Sequence, residues 1–289
     1  MQPQFVDLHT HTTASDGTDA PAELARKAAR LGLAAVAITD HDTLSGLDEA
    51  VQAGRELNLE VIRGCELGAA TPYGEMHLLG LWIPARAPAL EARLEALRAQ
   101  RTARNRHIVE KLNRLGFPLS YDDVLRFARG ESAGRPHIAA ALVGRGHVAS
   151  REEAFARFLG AGGAAYVPRE LPTPEEGVAL MAGLGATVCV AHPMLLRCPA
   201  GWLDEILPRL RACGLDGLEA YHSEQSAAQE RLCVELARRH GLGLSGGSDY
   251  HGLAKPRVRL GRGHGGLRVT LNVLEGLKRR RAAAGLPLA

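Results

Sequence analysis

The chain has 289 residues, 46% hydrophobic, 23% charged and only 4% aromatic, enough for one large domain or for one domain carrying an insert. Lys+Arg 35 against Asp+Glu 32 leaves a net charge of +3, too small by itself to argue for nucleic acid. No run of about 18 apolar residues marks a membrane span, and the N-terminus lacks the charged and apolar regions of a secretory signal. The five cysteines (Cys65, Cys189, Cys198, Cys213, Cys233) are scattered without CxxC spacing, which argues against a disulfide framework and against a thiolate zinc site. A cytoplasmic enzyme is the expectation.

In chain order, "FVDLH" reads as a strand and "DAPAELARKAARLG" as a helix, with Asp19 expected as N-cap, Pro21 in the first turn and Gly32 at the end. "AAVAITDHD" reads as a strand, "SGLDEAVQAGRELN" as a helix, and "LEVIRGCEL" and "MHLLGLWI" as strands. Between Pro84 and about Tyr166 the rhythm changes. The long helical pattern "LEARLEALRAQRTARNRHIVEKLNRLG" is followed by "SYDDVLRFA", "RPHIAAALVGRG" and "SREEAFARFLG", with no convincing buried strand. Strands then return with "TVCVAHP", "LDGLEAYH" and "LGLSGGSDYH", each after a helical segment such as "AAQERLCVELARRHG". Repeated strand–helix units predict an α/β fold with a parallel sheet covered by helices, and their number favours a barrel. The expected organisation is a barrel from residues 1–84 and 166–289, with an all-α insertion at 85–165.

In that scheme the unusual polar residues share one location. His9 and His11 end the first strand two positions apart, so they point to the same side. His41 ends "AITDH", Glu66 ends "VIRGCE", His77 opens or lies within the next strand, and His192 ends "TVCVAH". Asp249 and His251 end "LSGGSDYH", again two apart, and Asp16 follows the first pair closely. Singly, each has an ordinary explanation: a turn pair for Asp16-Gly17, a solvated loop for His41, a core histidine for His77. Together, at the carboxyl ends of strands where α/β proteins bind ligands, they read as a set of imidazole and carboxylate ligands for Zn²⁺, Mn²⁺ or Fe²⁺.

"DLHTHTTASDGT", "AITDHDTLSG", "GCELGA", "MHLLGL", "CVAHP" and "GSDYHG" resemble the five-part signature of the PHP (polymerase and histidinol phosphatase) superfamily, over nearly the whole chain. The resemblance implies a distorted (β/α)7 barrel with an all-α inserted subdomain and two or three divalent metal ions. One metal would take His9, His11, bridging Glu66 and Asp249. A second would share Glu66 and add His77 and His192, and a third would take Asp16, His41 and His251. The insertion and "GRPHIAAALVGRG" are similar to the TrpH/YciV-like branch, whose members are 3′,5′-nucleoside bisphosphate phosphatases, some acting as 5′→3′ exoribonucleases.

The branch's R-x-H pair falls on Arg135 and His137, which would bind phosphate; an Arg-Pro-His at a helix start offers cationic donors and backbone N–H groups. Arg98, Arg101 and Arg104 align with arginines of the branch, although for Arg98 a solvated helix face is at least as good a reading. His222 is expected to touch substrate or protonate a leaving group, with a solvated loop histidine as the alternative. The chain departs from the branch at Gly163-Ala164, where relatives carry Lys-Pro, and at Gln225, where they carry histidine.

The expected activity is therefore hydrolysis of a nucleotide phosphate ester by metal-activated water, on 3′,5′-nucleoside bisphosphates and on 5′ ends of short RNA. No membrane and no stable protein partner is expected. The rivals are a histidinol-phosphate-type phosphatase and a non-catalytic metal-binding module. The basic tail "LKRRRAAAG" reads as a solvated terminal helix.

Overall fold

The computed structural model of the chain describes residues 4–128, 133–199 and 201–288. Seven strands make one sheet in chain order: β1 (Val6–Asp7), β2 (Ala35–Ile38), β3 (Glu60–Thr71), β4 (Gly74–Leu81), β5 (Thr187–Val190), β6 (Leu215–His222) and β7 (Gly243–Gly247). The last strand returns to the first. The Leu8 N–H donates to Gly246 O at 3.1 Å, Asp249 N–H donates to His9 O at 2.9 Å, and Thr10 bridges Tyr250 in parallel. The result is a nearly closed, distorted (β/α)7 barrel. Closure needs glycine at 247, where a Cβ would collide with the backbone and Cβ of His9.

Helices α1 (Pro21–Arg30) and α2 (Leu47–Glu56) follow β1 and β2. The helical stretch before β5 holds α3 (Pro88–Arg114), α4 (Tyr121–Leu125), α5 (Arg135–Gly144) and α6 (Arg151–Ala154), which runs into a π-turn at Phe155–Leu159. Then α7 (Pro174–Ala182), α8 (Trp202–Ala212), α9 (Ala227–Arg239) and α10 (Leu271–Ala283) complete the outer layer. Among the described residues, none of these helices is long and apolar enough to cross a membrane.

Helix α3 belongs to two cores. Its Leu90, Leu94 and Leu97, spaced by one helical turn, pack into the barrel's apolar cluster. Its Ile108 and Leu112 instead join Val124, Ile138, Leu142 and Phe158 in a separate cluster made by the helical stretch itself. The same helix thus anchors that stretch and builds its interior.

Four local readings are corrected. The sheet is not wholly parallel: β4 pairs antiparallel with both β3 and β5. Only Pro72 and Tyr73 join β3 to β4, and so short a link can only reverse the chain. The hairpin also carries β3 on to Thr71, so Glu66 sits within a strand rather than ending one. Ala20, not Asp19, is the N-cap of α1. The Asp19 carboxylate instead accepts from Lys27 Nζ and from Tyr250 Oη, both at 2.7 Å, and ties α1 to the segment after β7. Finally, Arg281 of the basic tail is buried. It donates to Gly185 O at 2.8 Å, Thr187 Oγ1 at 2.9 Å and Pro287 O at 3.0 Å, and lies over the Trp82 ring.

Candidate metal centre

Barrel closure brings His9 and His11, just past β1, against Asp249, just past β7, with Glu66 rising from β3. The two Nε2 atoms stand 3.1 Å apart, and Glu66 Oε2 lies 3.2 Å from the first and 3.1 Å from the second. Asp249 Oδ1 lies 3.5 and 3.2 Å from the same nitrogens. Ligands about 2.1 Å from a tetrahedral ion stand about 3.4 Å from one another, so this quartet has the spacing of a coordination shell. All four side chains are buried, yet Glu66 Oε2 accepts no hydrogen bond. A buried carboxylate oxygen without a donor is costly, and a cation removes that cost. The residues fit a metal ion.

The neighbouring donors continue the pattern. His251 Nε2 lies 3.2 Å from Asp16 Oδ1, and these two gather with His11 and His41. His41 Nδ1 lies 3.2 Å from Glu66 Oε2, His77 Nδ1 2.8 Å from Glu66 Oε1, and His192 Nε2 3.1 Å from Glu66 Oε1. Seven of the nine residues singled out from the sequence therefore gather at Glu66, and Asp16 and His251 join them through His11 and His41. The grouping differs in detail, since His11 joins the Asp16 group and His41 stands with Glu66 and His77 as well.

The shell behind these donors was not read from the sequence. Glu219 of β6 holds His9, with Oε1 3.1 Å from its Nδ1, and accepts from the His192 N–H at 2.6 Å. Its one visible signal was a second carboxylate, three positions after Asp216, in the strand "LDGLEAYH". Asp7 accepts from Ser248 N–H and Oγ and from Gly261 N–H, fixing the segment that carries Asp249. Asp40 accepts from Thr12 N–H, Thr12 Oγ1 and Ser15 Oγ, fixing the loop that carries Asp16. Asp42, His192 and Asp249 adopt positive φ of 54°, 26° and 56°, a conformation that costs free energy and collects at functional sites.

The charges are strongly coupled. Burial disfavours the imidazolium of His11, but Asp249 and Glu66 outweigh it and push the ring up to about 9. Burial is likewise overcome at His77, pushed up to about 10 by Glu66 and Glu75. At His41 burial wins, and the ring falls to about 3 despite Glu66 and Asp16. Burial also opposes ionisation of Glu66, Asp16 and Asp249, yet the surrounding imidazoles (and, for Asp249, Lys255) hold all three well below the usual carboxylate range. Without a metal, protons on His11 and His77 balance part of the carboxylate charge; a divalent ion would displace them and supply that charge itself.

The cationic candidates occupy the side formed by the helical stretch. The Arg135 guanidinium lies 3.6 Å from Glu75 Oε2 and 3.4 Å from Leu159 O, beside His77 and His192 in one cavity wall. His137 is buried, with Nδ1 accepting from Gly134 N–H at 2.9 Å across the first turn of its own helix; it shares a smaller cavity with Asp16. Arg98 does not lie on a solvated face: it donates to Asp42 O at 2.8 Å. Arg101 pairs with the Asp42 carboxylate, its Nε 3.1 Å from Oδ2. Arg104 is buried and reaches Asn105 Oδ1 at 3.2 Å; burial, with Arg135 and Arg101 alongside, pushes it down to about 9.

Arg169, which no spacing betrayed, is buried between Asp42 Oδ2 at 2.5 Å and Glu75 Oε1 at 3.5 Å. His222 is not a solvated loop histidine. It is buried, its Nε2 accepts no hydrogen bond, and Asp249 Oδ2 lies 3.6 Å from it. Gln225 is buried too and donates to Ala220 O at 2.8 Å.

The PHP domain profile matches residues 7–125. A 5′-3′ exoribonuclease of Haemophilus influenzae is 34% identical over 245 residues, covering 85% of this chain and 89% of that protein. The chain belongs to the PHP family. A second relative, a 3′,5′-nucleoside bisphosphate phosphatase of Chromobacterium violaceum, is 31% identical over 247 residues, 85% of this chain and 87% of that one. The crystal structure of a candidate metal-dependent phosphoesterase from Bifidobacterium adolescentis superposes with a TM-score of 0.86 at 37% identity, covering 96% and 98% of the two chains. This PHP protein is a metal-dependent phosphoesterase, a hydrolase of phosphate ester bonds.

Proposed function

We propose that the chain hydrolyses phosphate esters of nucleotides, with 3′,5′-nucleoside bisphosphates as the main substrate and the 5′ ends of short RNA as a second substrate of the same site. The observation that carries this reading is the meeting of a buried imidazole–carboxylate cluster with a bank of arginines on one side. A phosphate ester bearing two negative groups needs both. His9, His11, Asp16, His41, Glu66, His77, His192, Asp249 and His251 would hold two or three divalent ions, and their mixed N/O donors suit Mn²⁺, Fe²⁺ or Zn²⁺. When bound, such ions activate water and neutralise charge on the phosphoryl oxygens.

The rest falls to the chain's own groups. Arg135, loosely held at 3.6 and 3.4 Å, is free to swing onto a phosphate oxygen as a charge-assisted donor. His137, with Nδ1 engaged at the helix start, offers Nε2 to the same anion. His222 holds a proton at its unpartnered Nε2 for the departing oxygen. The helical stretch 85–165 supplies these phosphate contacts, and the barrel segments 1–84 and 166–289 supply the metal ligands. A net charge of +3 fits contact with few phosphates, hence short substrates.

The experiment is phosphate release from adenosine 3′,5′-bisphosphate, with a 5′-phosphorylated short RNA in parallel and Mn²⁺ supplied. Turnover of the bisphosphate with stepwise 5′ shortening of the RNA is the expected result. Silence in both assays, with histidinol phosphate turned over instead, overturns the reading.

A further inference from the structure

Two large apolar side chains near the centre are left in water. Tyr73, at the tip of the β3–β4 hairpin, and Leu195, in the turn after His192, are each 40% exposed. Both line one cavity of about 390 Å³, whose wall also contains His77, His192 and Arg135. The hairpin tip is held in place: Thr71 Oγ1 accepts from Tyr73 N–H at 3.1 Å and donates to Gly74 O at 2.8 Å. The Trp202 ring meets the Tyr73 ring edge-on, centroids 5.1 Å apart and planes at 75°. An edge-on neighbour leaves at least one face of the tyrosine uncovered. Arg197 lines the same cavity and makes no ion pair among the described residues.

A wider cavity, of about 770 Å³, opens over Asp16 and His251 and includes Phe155. Charge separates the two. In the wider one Arg151, Lys255 and Arg257 are matched by Asp16, Glu152 and Glu224, and Lys255 is tied to Asp249 Oδ2 at 2.6 Å. In the smaller one Arg135 and Arg197 face a single carboxylate, Glu75. An aromatic face, an aliphatic wall and a spare guanidinium beside the metal donors match a nucleoside that carries a second phosphate.

We infer that the smaller cavity is the nucleoside subsite. The base lies against Tyr73 and Leu195, and Arg197 meets the phosphate that is not being hydrolysed: the second phosphate of a bisphosphate, or the next phosphodiester of an RNA. The assignment rests on the proposed nucleotide substrate and names the surface that recognises it.

The test is steady-state kinetics of the Mn²⁺-loaded protein on adenosine 3′,5′-bisphosphate and on adenosine 5′-monophosphate. Tyr73→Ala is expected to raise KM for the bisphosphate by about tenfold with kcat nearly unchanged, and Tyr73→Phe to retain the wild-type KM. Arg197→Ala is expected to raise KM for the bisphosphate several-fold more than KM for the monophosphate. Unchanged KM in both alanine variants overturns the assignment, as does a KM loss that appears instead in Phe155→Ala, which moves the base into the wider cavity. Failure of the wild-type protein on both the bisphosphate and a 5′-phosphorylated RNA strikes the proposed function instead, so the two failures are distinct.

Discussion

The two sides of the barrel rim are built differently. On the β1–β7 side, His9 and His11 are fully buried, and Glu219, Asp7 and Asp40 lock their surroundings. On the β2–β5 side, His41, His77 and His192 keep 16, 23 and 13% of their side-chain surface. There Glu75 makes only longer contacts, at 3.5–3.6 Å from Arg169, His77 and Arg135, although His77 and His192 stand 2.8 and 3.1 Å from Glu66. Short, satisfied contacts suit a group that must not move. Longer contacts around exposed rings suit a surface that exchanges one anion for another. Candidate metal ligands thus stand on both sides, and on the proposed reading substrate would reach them from the more exposed one.

Substitutions can break or sharpen that contrast. Asp249→Ala or His9→Ala, on the locked side, should bring activity to background and lower the bound metal, read by phosphate release and elemental analysis; intact activity and metal would refute the ligand assignment. Arg135→Ala, on the open side, should lower kcat/KM by about 10²–10³-fold with metal content unchanged. Glu219→Gln removes the carboxylate behind His9 and should weaken metal binding or activity by about 10–100-fold, measured by metal titration. Should Glu219→Gln alter KM alone, the locked side would be handling substrate as well.

The smallest effect on the centre is expected from Ile138→Ala, deep in the helical stretch. It should cost about 2–5 kcal/mol of stability in denaturant unfolding, through the cavity it leaves, while metal content stays at the wild-type value. A loss of metal with that variant would mean that the two cores are one cooperative unit, coupled through α3.

Much of the barrel was legible because strands and helices announce themselves locally. An apolar run such as "TVCV", flanked by helical segments, reads as a buried strand, and Gly32, at φ +70, closes α1 where its position suggested. The reversed β4 was visible only as a missing helix between two strands. Asp19 failed as a cap because Lys27 and Tyr250 offer its carboxylate stronger partners than a backbone N–H, and Tyr250 lies 231 positions away. Arg281 passed for a solvated residue because nothing nearby in sequence shows that Gly185 and Thr187 wait for it.

The sequence by itself indicated the chemistry of the centre: which imidazoles and carboxylates would gather, most of them at or just past strand ends, with Glu66 and His77 inside theirs. Tertiary structure alone decided who supports them. Glu219 reaches His9 across 210 positions and Arg169 reaches Asp42 across 127. Periodicity encodes which side of a strand a residue faces, a local property of backbone geometry. The partner it meets there depends on how the sheet closes, and closure is set by the packing of the whole barrel.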